Sequence, residues 1–409
     1  MIFRIGFRFM SNRRIGLWLV GAWGGVCSTA VLGLAALRKN LIDSVGLVSE
    51  KPDFAHLDLD GPDAFVVGGH DIRKSSYWQA CTELHERANI FDGRLLDACK
   101  PQLDEWDQNI RPGTIYGSGP TISKLADWPD VQKVDTPRAA VQRIQQDLKD
   151  FQARHKLDQV IVANASSTEP PFQIDDSFST IAKFEAALDN KESRIPASTL
   201  YAWASLDLGM PHVNFTPSLG ASFPAAMELC QKRKTTTTGK DGKTGETLMK
   251  TVLAPMFKHR NLQVLSWVGH NIFGNRDGVV LDDPVNKASK VQTKDQVISS
   301  IVGYKPNTLV TIEYIPSMDD WKTAWNHIHY RGFLNTKMIL QFIWQGCDSI
   351  LAAPLLLDSV RFTALSQRRG EYGTPRHLAC FFKSPMGTDE HDFFVQYAEL
   401  VQYARAIKK

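Results

Sequence analysis

Ile15-Gly-Leu-Trp-Leu-Val20-Gly21-Ala22-Trp23-Gly24-Gly25-Val-Cys27-Ser28-Thr29 is the stretch on which the fold turns. Its first six residues, Gly16 apart, carry bulky apolar side chains, as in a strand. A glycine-rich turn follows, and then an apolar run that continues as an amphipathic helix to about Arg38. A second reading competes with this one. Arg4, Arg8, Arg13 and Arg14 precede the apolar stretch Ile15 to Leu37, and Arg38–Lys39 close it, which has the outline of a signal sequence or a single membrane span. Gly16, Gly21, Gly24, Gly25 and Gly33 argue against that outline, because they cluster in the middle of the stretch, where a spanning helix is weakened by them. The expectation is therefore strand, turn, helix. Met10, followed by Ser11-Asn-Arg, is an alternative start that would leave residues 1–9 as an upstream extension.

A glycine turn between a strand and a helix aims backbone N–H groups and the helix N-terminus at a phosphate, and lets a pyrophosphate approach the chain closely. Trp23 and Cys27 depart from a strict GxGxxG pattern, so the loop alone is a weak signal. Ser44-Val-Gly-Leu-Val-Ser49 is expected as the next strand, with Glu50 where an acid grips the adenosine ribose; Ala64 to Ile72 is a third apolar run with Asp71 as a second candidate. The plain alternative for either carboxylate is a solvated strand end. Gln159 to Ala163 reads as a buried strand that runs into Asn164-Ala165-Ser166-Ser167-Thr168-Glu169, small polar residues at the end of a strand where α/β sheets hold ligands. Ser198 to Leu208 reads as a helix, and Gly209 to Pro217 as a short strand ending in Asn214 and Thr216. Strands alternating with helices from 15 to about 230 predict a parallel, doubly wound sheet.

The remainder of the 409 residues is less regular. With 43% hydrophobic and 22% charged residues the chain is an ordinary globular sequence, long enough for two domains. A formal charge of +3 is too small for a nucleic-acid or membrane-surface protein. Six scattered cysteines without a CxxC pair fit reduced thiols in a cytosol. Composition shifts at residue 231 into a polar, basic segment, in which Gly239 to Thr244 lacks the spacing of a Walker loop but leads into a helix from Thr244 to about Phe257. Val264 to Trp267 is expected as a strand, His270 to Gly278 as a polar turn, 307–316 as a strand, Trp321 to Tyr330 as a helix and Leu351 to Leu365 as a helix. Met338 to Trp344 is a further apolar run, and Leu378 to Phe382 an aromatic strand ending at Lys383. Lys290 and Lys294 are four apart, which on a helix places two ammonium groups on one face.

Taken in order, the motifs GxxGGxxST, HDI, ASSTEPP, ASTLYAWASLDLGMPHVNFTPS, GKDGKTGETLMK, HNIFGNRDG, SKVQTK and GCDSILAAPLLLDSVR resemble those of the inositol-3-phosphate synthase family over residues 15 to 405. The resemblance implies an α/β fold: a Rossmann-like NAD-binding domain (10–240), an inserted α+β catalytic and tetramerisation domain (241–345), and a C-terminal segment (346–409) that returns to the first. It implies conversion of D-glucose 6-phosphate to 1L-myo-inositol 1-phosphate with tightly held NAD, through oxidation at C5, enolisation at C6, aldol closure on C1 and re-reduction. Each step moves negative charge onto oxygen, so preplaced cations are what the transition states need.

Carried over position by position, the resemblance assigns catalytic roles to Lys290, Lys294, Lys383, Asp241 and Asp277, and substrate contacts to Asn275, Arg276, Asp277 and the same three lysines. NAD contacts fall on Gly21, Ala22, Trp23, Gly24, Gly25, Ser28, Thr29, Asp71, Ile72, Ala165, Ser166, Ser167, Thr168, Thr216, Asp241, Thr244, Asp348 and Ser349. A further family lysine is replaced by Glu313, with Lys322 or Arg276 as candidates to compensate; Cys27 stands for a loop glycine. The Glu313 exchange keeps open a cyclase or dehydrogenase acting on a related sugar phosphate, or a non-catalytic NAD and sugar-phosphate sensor. A divalent metal or monovalent cation is left open, since no His/Asp/Glu cluster has diagnostic spacing. A cytoplasmic homotetramer with a small-molecule sugar phosphate, no nucleic acid and no membrane partner completes the expectation.

Overall fold

The computed structural model describes residues 13–132, 136–275, 278 and 297–407. The opening stretch forms strand β1 (Ile15–Val20), every residue of it buried, followed by helix α1 (Gly25–Arg38). The signal-sequence outline therefore dissolves into a core strand and a core helix. Next come β2 (Phe65–Asp71), α2 (Tyr77–Ala88), α3 (Gly93–Asp107), β3 (Ile110–Pro112), α4 (Pro120–Ser123), α5 (Pro137–His155) and β4 (Gln159–Asn164). They are followed by α6 (Ile181–Asp189), α7 (Ala197–Asp207), β5 (His212–Asn214), α8 (Pro224–Arg233) and β6 (Thr237–Gly239).

β1 to β6 form one parallel sheet in the order β3-β2-β1-β4-β5-β6. The chain works outward from β1 through β2 and β3, then restarts on the other side with β4, so the order reverses between β1 and β4. That switch point opens a crevice at the carboxyl ends of both strands. Alternate residues of β1 serve two cores: Ile15, Leu17 and Leu19 pack with α1 and α3, while Trp18 and Val20 pack with α5 and α7. Burial on both faces is why β1 reads as an unbroken apolar run.

The predicted strand over Ser44–Ser49 does not form. Gly46 has φ +98, the segment bends, and Val48–Glu50 is a turn of 3₁₀ helix. Its backbone is satisfied by a buried carboxylate instead of a sheet: Asp358 Oδ2 accepts from Val48 N–H at 2.6 Å and Oδ1 from Ser49 N–H at 3.2 Å. Glu50 pairs with Arg361 at 2.6 Å, so β1's neighbour is β2 and the acid at the strand tip is Asp71.

Helix α9 (Gly245–His259) leads into a second sheet of β7 (Gln263–Phe273), β8 (Asn307–Tyr314), β9 (Trp321–Arg331) and β10 (Lys337–Cys347), ordered β10-β9-β7-β8. β7 and β8 are parallel, and β9 runs antiparallel to both β7 and β10. Two expectations change here. His270–Phe273 continues β7 before the turn at Gly274, and Trp321–Tyr330 is a strand rather than a helix. In β9 the buried Ala324, Asn326 and Ile328 alternate with exposed or half-exposed Trp325 and His327, a period of two that apolar residues at helical spacing obscure. One face of this sheet packs Val264, Trp267 and Ile328 on Ala254 and Phe257 of α9. The other leaves Leu309, Trp325, Ile339 and Ile343 exposed, Ile343 by 68%.

The chain then returns through α10 (Asp348–Arg368) and α11 (Phe393–Ala406). α10 is long and apolar enough to cross a membrane by length and composition, but 78% of its apolar window is buried inside the fold, where it packs in the core with α1. Arg376–Phe381 is 3₁₀ helix instead of the expected strand, and only Phe382 bridges, to Gly242. All six cysteines are free and buried.

Candidate active site

The crevice at the switch point widens into a cavity of about 460 Å³ between the strand tips of the parallel sheet and the rim of the second sheet. Gly21 has φ +79, and a Cβ there would stand 2.8 Å from Ser166 Cα, so only glycine lets the tips of β1 and β4 come together. Gly24 is the N-cap of α1, with no side-chain cap and no acid in the first turn. The helix thus presents unsatisfied N–H groups and its positive dipole end to the cavity, an anion site by construction. At Gly25 a Cβ would meet Ser349 Oγ at 2.9 Å, so this glycine lets the N-termini of α1 and α10 converge.

Asp71 closes one side. Its Oδ2 accepts from Trp23 N–H at 2.8 Å and its Oδ1 from Arg73 N–H at 2.9 Å, while burial pushes the carboxyl above its ordinary range. Trp23 stacks on Trp128 and donates its indole N–H to Asp107 at 2.7 Å. On the opposite side, Asn164 and Asn214 at the tips of β4 and β5 accept from Ser166 Oγ–H (2.8 Å) and Thr216 Oγ1–H (3.0 Å).

At the far end the C-terminal segment lies along the loop after β6. Lys240 N–H donates to Ser384 O at 2.9 Å and Lys383 N–H to Asp241 O at 2.6 Å. Lys383 Nζ then reaches Asp241 Oδ1 at 2.9 Å, with both side chains lining the cavity and little exposed. Asp241 has φ +63, a conformation that a non-glycine residue holds only when its neighbours impose it.

The chain that carries this crevice is similar to known proteins over nearly its whole length. The family model described as myo-inositol-1-phosphate synthase matches residues 15–405. The chain belongs to that synthase family. Inositol-3-phosphate synthase 1 of Bacteroides thetaiotaomicron is 34% identical, with 96% of this chain and 95% of that one aligned. Inositol-3-phosphate synthase of Dictyostelium discoideum is 27% identical over 87% of this chain and 75% of its own length. The fold superposes on the inositol-3-phosphate synthase of Caenorhabditis elegans with a TM-score of 0.86 at 23% identity, covering 96% and 86% of the two chains. It superposes on a myo-inositol-1-phosphate synthase-related protein of Thermotoga maritima with a TM-score of 0.78 at 23% identity, covering 96% and 99%.

Within this synthase-family cavity the structure brings together Gly21, Trp23, Gly24, Gly25, Asp71, Ile72, Ala165, Ser166, Ser167, Thr168, Thr216, Asp241, Thr244, Asn275, Asp348, Ser349 and Lys383. Ala22, Ser28 and Thr29 lie beneath the loop, buried, and are not on the wall. Arg276, Asp277, Lys290 and Lys294 lie outside the described residues. β8 contributes Tyr314 to the wall; Glu313 projects from the opposite face of the strand and is exposed. Lys322 sits on β9 with its ammonium 4.9 Å from the centre of the Phe273 ring. Among the described residues no group of three or more His, Cys, Asp or Glu side chains is placed to hold a metal ion.

Sequence reasoning passed over three buried acid or base groups on the wall. Asp320 accepts from Ser349 N–H and Oγ–H, each at 2.9 Å, and from Cys347 Sγ–H at 2.7 Å, holding the start of α10 against the second sheet. Asn275 donates to it at 3.2 Å, and burial raises its pKa. Glu169, at the end of the ASSTEPP motif, accepts from Ser198 N–H at 2.8 Å and Oγ–H at 2.5 Å, and burial pushes its carboxyl up to about 7. His70, buried, accepts from the Trp18 indole N–H at 2.9 Å on Nδ1, which leaves Nε2 to donate to Asp147 at 2.9 Å. Burial lowers its pKa, so the ring is a fixed neutral tautomer. Asp320 falls between the expected strand 307–316 and the expected helix from Trp321, where no local pattern singles it out; it is the packing of α10 on the second sheet that buries it.

Proposed function

We propose that this chain converts D-glucose 6-phosphate to 1L-myo-inositol 1-phosphate in the cavity between the two sheets. The observation that carries the reading is the shielded Lys383–Asp241 pair at the end of a glycine-cradled dinucleotide crevice, in a chain of the synthase family. The cradle fits NAD: the uncapped N-terminus of α1 suits its pyrophosphate, Asp71 with Ile72 its adenosine ribose, and Ser166, Thr168 and Thr216 the run toward the nicotinamide. When bound, NAD supplies reversible oxidation and reduction at the sugar carbon. Asp348 and Ser349 place the N-terminus of α10 beside the same path.

The protein's own part is charge and proton management. Lys383 is held by Asp241 in a place nearly closed to water, where a cation stabilises a developing enolate or alkoxide far more than it would in solvent. Asp241 keeps the ammonium oriented. Lys290, Lys294, Asn275, Arg276 and Asp277 complete the proposal as phosphate and oxyanion contacts, and Asp277 joins Asp241 in proton transfer. Division into units 10–240, 241–345 and 346–409 belongs to the same proposal, as does a cytoplasmic homotetramer. The open face of the second sheet, with Leu309, Trp325, Ile339 and Ile343, is the surface for subunit association.

The test is incubation of the purified chain with glucose 6-phosphate and NAD⁺, with products read by phosphorus NMR and NADH by absorbance. Inositol phosphate without net NADH is the expected result. Net NADH would make the chain a dehydrogenase of a related sugar phosphate; NAD binding without product would make it a sensor.

A further inference from the structure

Among the described residues, two cations that the proposed turnover does not use line the cavity, Arg73 and Arg87; Arg87 is paired with Asp319 at 2.9 Å, which leaves Arg73 as the one to explain. Arg73 lies two residues past the tip of β2 and lines the cavity with its side chain about a fifth exposed. Its guanidinium Nη2–H donates to the Trp23 carbonyl at 3.0 Å. Its Nε stands 3.9 Å from Asp71 Oδ1, so guanidinium and carboxylate lie side by side. The Trp23 carbonyl pins the guanidinium to the glycine loop and leaves most of its donors for a ligand.

In a dinucleotide fold the acid after the second strand receives the adenosine ribose hydroxyls and repels a 2′-phosphate, whereas an arginine nearby accommodates that phosphate. Here both are present. Asp71 already accepts from two backbone N–H groups, and the neighbouring guanidinium offsets its charge. Asp107 and Asp127 are turned to other partners, Asp107 to the Trp23 indole and Tyr77 N–H and Asp127 to Lys74 N–H at 2.6 Å, and neither lines the cavity, whereas Glu83 on α2 does. A planar fork with unengaged donors beside a neutralised acid matches a phosphate monoester.

We propose that Arg73 is a cofactor-specificity residue and that the adenosine end of this cavity accepts a ribose 2′-phosphate, so that the chain binds NADP as well as NAD. The inference rests on the dinucleotide reading given above. The full-length chain, stripped of nucleotide with charcoal, is titrated separately with NAD⁺ and NADP⁺ while tryptophan fluorescence is followed, since Trp23 lines the cavity. The two dissociation constants are expected within about tenfold of each other. Arg73→Ser should weaken NADP⁺ by roughly 10- to 100-fold and NAD⁺ by less than about threefold. Arg73→Lys, which keeps charge but not the fork, should fall between, and it decides the matter if the serine variant does not fold. NAD⁺ binding with no NADP⁺ binding overturns the proposal and leaves the NAD reading standing. Equal loss of both nucleotides in Arg73→Ser also overturns it, since the arginine would then only hold the Trp23 loop. Failure of the wild type to bind either nucleotide removes the dinucleotide reading itself.

Discussion

The two sheets solve opposite problems. The six-stranded sheet buries both faces, spends its side chains on two cores, and leaves only its strand tips to do chemistry. The four-stranded sheet buries one face on α9, keeps the other open, and among the described residues meets the cavity along its rim, through Gly274, Asn275, Tyr314, Asp319 and Asp320. A sheet covered on both faces reads clearly in sequence, because its strands are unbroken apolar runs, and it binds a ligand through backbone at its tips. A sheet with one open face reads ambiguously, and its contribution depends on which side of each strand a residue takes. Several substitutions would break this contrast or sharpen it.

Lys383→Ala should have the largest effect. The pair with Asp241 is shielded and joins the parallel sheet's last loop to the returning segment, so turnover should fall by about 10³-fold, roughly 4 kcal/mol in the barrier. NAD affinity should stay within about threefold, because the glycine cradle at the N-terminus of α1 is untouched. Product formation by phosphorus NMR beside a nucleotide titration measures both, and a wild-type rate would remove Lys383 from the mechanism.

Glu169→Gln tests the buried segment that follows β4 on the cavity wall. Burial raises the Glu169 carboxyl to about 7 from an ordinary 4.5, so the folded state holds a proton that the unfolded state releases. Stability from this group is present below about 4.5 and is lost as pH rises through about 7, a swing on the order of 3 kcal/mol. The glutamine variant should lack that swing and gain on the wild type between pH 5 and 8 in thermal melts. Parallel pH profiles for the two proteins would refute the assignment.

Gly21→Ala should cost about 1–3 kcal/mol, from a strained positive φ and a Cβ pressed on Ser166. Nucleotide affinity should drop with it. A melting temperature unchanged from wild type would mean that the strand tips are looser than the structure implies.

The smallest effect on the chain itself belongs to Ile343→Ser on the open face, within about 0.5 kcal/mol because the side chain is already in water. Its effect on sedimentation should be large: association should weaken if that face joins subunits. Unchanged mass would move the subunit contact elsewhere.

Legibility followed the range of the forces involved. β1, α1, β4, α7, α9 and α10 could be read because strand period, helix caps and glycine turns act within a few residues. The segment around Val48 was misread because Asp358, about 310 residues away, satisfies its N–H groups in place of a sheet partner. β9 was misread because Trp321, Ala324, Trp325 and Ile328 fit a helical stripe as well as a strand face. The stretch Leu378 to Lys383 was misread as a strand because its aromatics pack into the core from a 3₁₀ turn.

The same division holds for the site. Local chemistry in the chain determined the glycine cradle and the polar residues at the strand tips, since each follows from a turn or a strand end and its neighbours, while Lys383 stood out only through the family resemblance. Only the tertiary structure decided that Lys383 meets Asp241 across 142 residues, that Asp320 caps Ser349, and that Arg73 stands beside Asp71 facing the cavity. Those contacts are made when sheets and returning segments pack, and the strength of an ion pair or buried carboxylate depends on the dielectric that packing creates.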